Sequence, residues 1–111
     1  MSVKKGKPNL VLLHGLGGSK ADWKEVGTIL GRSFEILALD LPGAGDAPKP
    51  ENGYEPAALA KAVSAAMKTA GVERAHVAGH SVGARVAGEL LAAEPGRVDH
   101  LILVSPLGAV P

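Results

Sequence analysis

Residues 74–91 read RAHVAGHSVGARVAGELL, and the fold turns on this stretch. Arg74 to Gly79 is a short apolar run of the kind that forms a buried strand. Val82, Val86, Ala87, Leu90 and Leu91 then recur at helical spacing, and Pro95-Gly96 ends that helix. Between strand and helix lies Gly79-His80-Ser81-Val82-Gly83, a G-x-S-x-G pentapeptide. Its glycines let the backbone turn sharply, lifting the Ser81 hydroxyl clear of the sheet at a helix N-terminus, where a serine can act as a nucleophile. The simpler alternative is a plain strand-to-helix turn whose serine caps the helix.

The same alternation runs outward in both directions. Asn9 to His14 (NLVLLH) is a strand ending at Gly15. Ser19-Lys-Ala-Asp22 resembles a capping box, and Trp23, Val26, Ile29 and Leu30 follow at helical spacing until Gly31. Phe34 to Leu39 (FEILAL) is a second strand, and Asp40 to Asn52 is a loop rich in proline and glycine. Pro56 suits a helix's first turn. Leu59, Ala62, Val63, Ala66, Met67 and Ala70 make that helix's apolar stripe, and Gly71 closes it. His100 to Val104 (HLILV) is a fourth strand, and Ser105 to Pro111 is loop. The order β-α-β-α-β-α-β predicts one α/β domain over residues 1–111, with four parallel strands and three helices.

Composition narrows the function. The 111 residues are 46% hydrophobic and 21% charged, ordinary for a soluble folded domain. A net charge of +1 makes no electrostatic case for nucleic acid or an anionic membrane. No apolar run approaches a membrane span, and the basic start Met1-Ser-Val-Lys-Lys-Gly lacks a signal peptide's apolar stretch. With zero cysteines there are no disulfides, thiolate zinc sites or cysteine nucleophiles, and a cytoplasmic chain is expected. Only three aromatics exist, and Trp23 at the head of the first helix is expected to anchor the core.

A second chemical signal follows the first strand: His14-Gly15-Leu16-Gly17-Gly18. Acyl transfer needs donors aimed at the developing oxyanion, and backbone N–H groups of a tight glycine-rich loop supply them. The Leu16 N–H is one candidate, and the Val82 N–H just after Ser81 is the other. The rival reading is a phosphate cradle, but neither the Walker pattern nor G-x-G-x-x-G is present.

Four blocks in order, HGLGGS…DW, ALDLPGAGDAP, VAGHSVGARVA and VDHLILVSPLG, resemble the α/β-hydrolase superfamily, closest to its lipases, esterases and C–C-bond hydrolases. The resemblance implies that Ser81 is the nucleophile and that Leu16 and Val82 form the oxyanion hole. It also implies strand order 2-1-3-4. That order puts the first and third strands side by side at a switch point, where such sheets bind ligands. His14, Gly15, Gly17 and His80 would then line the substrate position.

The departures shape the functional expectation. Family members are usually far longer, and their acid and histidine follow the serine. After Ser81 this sequence holds only Glu89, Glu94, Asp99 and His100. The glutamates ride on the third helix, and Asp99 and His100 are expected just before the last strand, too far from Ser81 to complete a triad. The expectation is an excised or engineered N-terminal half of a serine hydrolase, with weak ester hydrolysis at most. The alternatives are a non-catalytic structural module, or half of a split enzyme needing a C-terminal partner. His14 is expected to be structural, His80 to be a hydrogen-bonded packing residue, His76 to be a satisfied strand residue, and His100 to be a polar strand start. No histidine pair has metal-ligand spacing with a supporting carboxylate, so no metal or cofactor is expected. The expected partners are a small ester-like substrate and either a second copy, paired through Leu101, Ile102, Leu103 and Val104, or a missing C-terminal half.

Overall fold

The computed structural model describes residues 6–104, and the expected loop from Ser105 to Pro111 lies outside them. Four strands form one parallel sheet: β1 (Asn9–Leu13), β2 (Glu35–Leu39), β3 (Ala75–His80) and β4 (Val98–Val104). Their order is β2-β1-β3-β4, as expected. Three α-helices connect them: α1 (Lys24–Leu30), α2 (Pro56–Thr69) and α3 (Val82–Ala93).

The central strands explain the layering. Leu10 to Leu13 of β1 are all buried, so both faces of the sheet are covered there. On one face Val11, Leu13 and Val77 meet Val63 and Met67 of α2 and Val86 and Leu90 of α3. On the other, Leu10, Leu12 and Ala78 meet only Trp23, Leu30, Phe34, Ile36 and Ala38. The two faces are therefore unequal.

The Ser19 capping box forms: its hydroxyl accepts the Ala21 N–H, and the Asp22 carboxylate accepts the Ser19 N–H. The predicted first helix, however, divides into a 3-10 turn (Lys20–Trp23) and a seven-residue α1 with no buried residue. Ile29 is 66% exposed. Trp23 is half-buried against the smaller core, with its indole N–H shielded and without a partner among the described residues. Its truncation should therefore cost less than the ~3–5 kcal/mol of a fully buried tryptophan.

Helix α2 turns its stripe slightly from the expected one. Leu59, Ala60, Val63, Ser64 and Met67 are buried, whereas Ala70 is exposed. Ser64 is tolerated there because its hydroxyl donates to Glu94, which also accepts from Arg97. Gly71 ends α2 at φ 75°, the left-handed conformation that glycine adopts without strain.

Strand β4 begins at Val98, two residues before the expected start, so Asp99 and His100 lie within it. The reason is pairing: Val98 stands beside Ala75, and a register shift opposite His76 lets the strand resume with Leu101 beside Val77. Toward its end, Ile102, Leu103 and Val104 are each more than 40% exposed. Among the described residues no helix is long and apolar enough to cross a membrane.

Candidate active site

Strand order brings the C-terminal ends of β1 and β3 together, and both glycine-rich segments leave the sheet there. Ser81 follows β3 directly and precedes the first residue of α3. It is the one non-glycine residue with positive φ among the described residues, at φ 58° and ψ −118°. Such a conformation costs ~1–3 kcal/mol and persists only where the surroundings enforce it. Those surroundings are close. A Cβ on Gly79 would collide with the Gly83 carbonyl, and one on Gly83 would sit 2.5 Å from the Leu13 carbonyl oxygen. The Ser81 N–H donates to the Val104 carbonyl, so β4 pins the turn from the other side.

The capping alternative fails on geometry, because the Ser81 side chain makes no cap hydrogen bond to α3. Ser81 is half-buried, and its hydroxyl has no hydrogen-bond partner among the described residues. A Cβ added to Gly15 would lie 3.1 Å from the Ser81 Cβ, so the first loop runs directly past the serine. Neither the Leu16 N–H nor the Val82 N–H donates a backbone hydrogen bond among the described residues. Both residues border a cleft of about 470 Å³, walled further by Leu41, Pro42, Tyr54 and Leu59. Its lining is mainly apolar, with Leu16 itself 85% exposed. The residues beside Ser81 face different clefts. Val82 borders this one, and His80 borders a smaller cleft of about 310 Å³ with Gly15, Asp22, Trp23 and Val104.

The histidines are placed individually. His14 is buried, and its Nε2 accepts the Leu41 N–H at 2.9 Å. That bond leaves the ring proton on Nδ1, which donates to the Gly15 carbonyl at 2.8 Å. Both nitrogens are thus spent on holding the loops after β1 and β2, and neither is free to take a proton from Ser81. His80 is exposed, and its ring lies against Gly15. It makes no side-chain hydrogen bond among the described residues, unlike the hydrogen-bonded packing expected for it. Val104 stands in register with His80, so His100 lies four residues back, about 13 Å down the strand. Asp99 is ion-paired to Arg74 at that same distant level. No acid–histidine pair is hydrogen-bonded to Ser81 among the described residues.

One positioning residue escaped the sequence reading. Asp40 directly follows β2, and its two carboxylate oxygens accept the Lys20 N–H at 2.8 Å and the Asp46 N–H at 2.9 Å. It thereby fastens the cleft's two loops to each other. Gly45, at φ 52°, leaves room for the carboxylate where any side chain would clash. The sequence signal was present, an acid at a strand end entering a glycine-rich loop, but its partners are remote in sequence. These two N–H donors, Lys20 first, hold the Asp40 carboxyl below the ordinary aspartate range. A lowered folded-state pKa contributes stability that is fully present above the unfolded value of about 4. It is lost as pH falls through the lowered value. Asp40→Asn should therefore flatten the acid limb of the stability curve, read by urea unfolding from neutral to acid pH. An unaltered acid limb would show that the two bonds contribute nothing.

Residues 8–110 match the sequence pattern of the alpha/beta hydrolase fold. The dihydrolipoyllysine-residue acetyltransferase component of the acetoin cleaving system from Cupriavidus necator is 38% identical over 103 residues, 93% of this chain and 28% of that protein. A solved membrane phospholipase A, described as a bacterial virulence factor, is 35% identical with a TM-score of 0.90, covering 97% of this chain and 35% of that one. A hydrolase from Pseudomonas aeruginosa is 31% identical with a TM-score of 0.86, covering 90% and 38%. The chain spans about a third of the length of these relatives. A transferase component and a phospholipase share this frame, so the likeness carries a fold and not one substrate. With a continuous match from before β1 to beyond β4, the chain belongs to the α/β hydrolase fold family.

Proposed function

We propose that Ser81 is the nucleophile of an acyl-transfer site that cleaves small, apolar, activated esters slowly. The strained backbone of Ser81, a non-glycine held at φ 58° with its hydroxyl unspent, carries this reading. Ser81 Oγ attacks the ester carbonyl carbon, and the carbonyl oxygen becomes an oxyanion. The N–H groups of Leu16 and Val82 receive that charge, aided by the N-terminal dipole of α3. Collapse of the intermediate expels the alcohol and leaves an acyl-serine, which water then hydrolyses. No imidazole is hydrogen-bonded to Ser81 among the described residues, so the serine proton passes to water. An oxyanion hole and binding alone support ~10³–10⁴-fold catalysis over water. Esters with good leaving groups are therefore the fitting substrates. His14, Gly15, Gly17 and His80 border the substrate position in this reading.

The exposed end of β4 belongs to the same proposal. Its Ile102, Leu103 and Val104 offer an apolar edge for antiparallel pairing with a second copy. The other occupant is a polypeptide segment carrying an acid and a histidine, as in a split enzyme. Light scattering reads the first option as a mass of two chains, and a one-chain mass removes it.

The deciding experiment is covalent labelling with a fluorophosphonate, followed by peptide mass mapping. Modification at Ser81 that disappears in Ser81→Ala, together with loss of p-nitrophenyl acetate hydrolysis, supports the nucleophile. No labelling and equal rates in both proteins would leave a non-catalytic structural module.

A further inference from the structure

The histidines at the other end of the sheet form a site of their own. His76 on β3 and His100 on β4 approach with their Nδ1 atoms 3.0 Å apart. Their ring centroids are 4.9 Å apart and their planes are tilted by 31°. The pair exists because of the register shift in β4. Between the Ala75–Val98 and Val77–Leu101 partners, β3 has only His76 whereas β4 has both Asp99 and His100. The extra residue aims the His100 ring at His76. Phe34 meets the His76 ring edge-on at 5.9 Å and 88°, which fixes its orientation from behind. His76 is half-buried and His100 exposed, so the convergent nitrogens remain open to solvent from one side.

We infer that His76 and His100 form a two-imidazole chelate for a tetragonal divalent transition-metal ion, Cu²⁺ before Ni²⁺ or Zn²⁺. The spacing is compatible with that geometry. With metal–nitrogen bonds of about 2.0–2.1 Å, nitrogens 3.0 Å apart subtend about 91–97° at the metal. That is close to the right angle of square-planar or octahedral coordination and well short of the tetrahedral ~109° preferred by structural zinc. Imidazole donors at cis tetragonal positions suit Cu²⁺ and Ni²⁺, and Cu²⁺ stands highest in the divalent affinity order. Among the described residues no third histidine or carboxylate joins the pair, so water completes the coordination. Without metal, one Nδ1–H donates to the other Nδ1. Binding moves that ring's proton from Nδ1 to Nε2, leaving both Nδ1 lone pairs on the ion. A pair that starts neutral therefore releases no proton. Neither nitrogen belongs to the proposed Ser81 site, and the inference stands apart from it.

The test is calorimetric titration with CuCl₂ in a weakly chelating buffer, paired with electron paramagnetic resonance. The expected result is one ion per chain with an axial spectrum showing coupling to two nitrogens. His76→Gln and His100→Gln should each weaken binding by about tenfold or more, the scale on which even outer-shell changes are felt at metal sites. His80→Gln should leave it unchanged, and the double variant gives the background from the chain's amine and surface groups. His100 is exposed, so His100→Gln decides the matter if His76→Gln does not fold. No binding above that background, equal affinity in His100→Gln, or a loss in His80→Gln as large as that in His100→Gln would overturn the chelate.

Discussion

Gly83→Val lowers the melting temperature by about 10 °C or more, read by circular dichroism at 222 nm. A Cβ at this position would stand 2.5 Å from the Leu13 carbonyl oxygen and 2.6 Å from that of His14. Both are backbone atoms of buried residues, so no rotamer change relieves the overlap. Helix α3 must instead lift from the end of β1, and the packing of Val86 and Leu90 lifts with it. Overpacking of this kind costs ~1–3 kcal/mol and occasionally more. For a domain of about this size each kcal/mol is worth ~4–8 °C. Gly79→Val meets the Gly83 carbonyl and behaves alike. Gly88→Ala is the contrast. Gly88 lies inside α3 with nothing near its added Cβ, so the substitution should stabilise by about 0.5–1 kcal/mol through the helix's backbone entropy. Equal melting of Gly83→Val and the parent chain would mean that the elbow is not held tightly, and would undercut the geometry on which Ser81 depends.

Under the proposed mechanism, Leu16→Pro is expected to slow fluorophosphonate labelling of Ser81 by ~10²–10³-fold, the usual consequence of deleting one oxyanion donor. The substitution removes the Leu16 N–H, which makes no other backbone bond among the described residues. Little packing is lost, since the side chain is 85% exposed. The melting temperature should therefore change far less than the rate. Leu16→Ala, which keeps the N–H, should label at nearly the parent rate. Equal slowing of both variants would assign the effect to the side chain and remove Leu16 from the oxyanion hole.

The parts legible in the sequence are those in which neighbouring residues settle the outcome among themselves. The capping box at Ser19 closes within one turn. The elbow needs only Gly79, Ser81 and Gly83 and the change from strand to helix around them. Four apolar runs separated by glycine-rich loops and helical stripes admit little besides a parallel sheet, because parallel strands require crossovers. Helix α1 is where periodicity misled. Its apolar spacing is real, but the helix is seven residues long and reaches only the narrow face made by Leu10, Leu12 and Ala78. Ile29 consequently points outward, and Trp23 is only half-buried.

What the sequence by itself determined is the order of elements, the strand-to-helix turn at Ser81 and the absence of thiol chemistry. Each follows from residue types and local spacing, which act before any long-range contact forms. What only the tertiary structure decided is which distant groups meet. The Asp40 carboxylate fastens two loops because β2 ends between them, and His14 spends both nitrogens because the Leu41 N–H comes to it. His76 and His100 converge because a single residue of register shift, set by pairing along the whole of β3 and β4, rotates one ring toward the other. Register is a collective property of packed strands, and no window of the chain contains it.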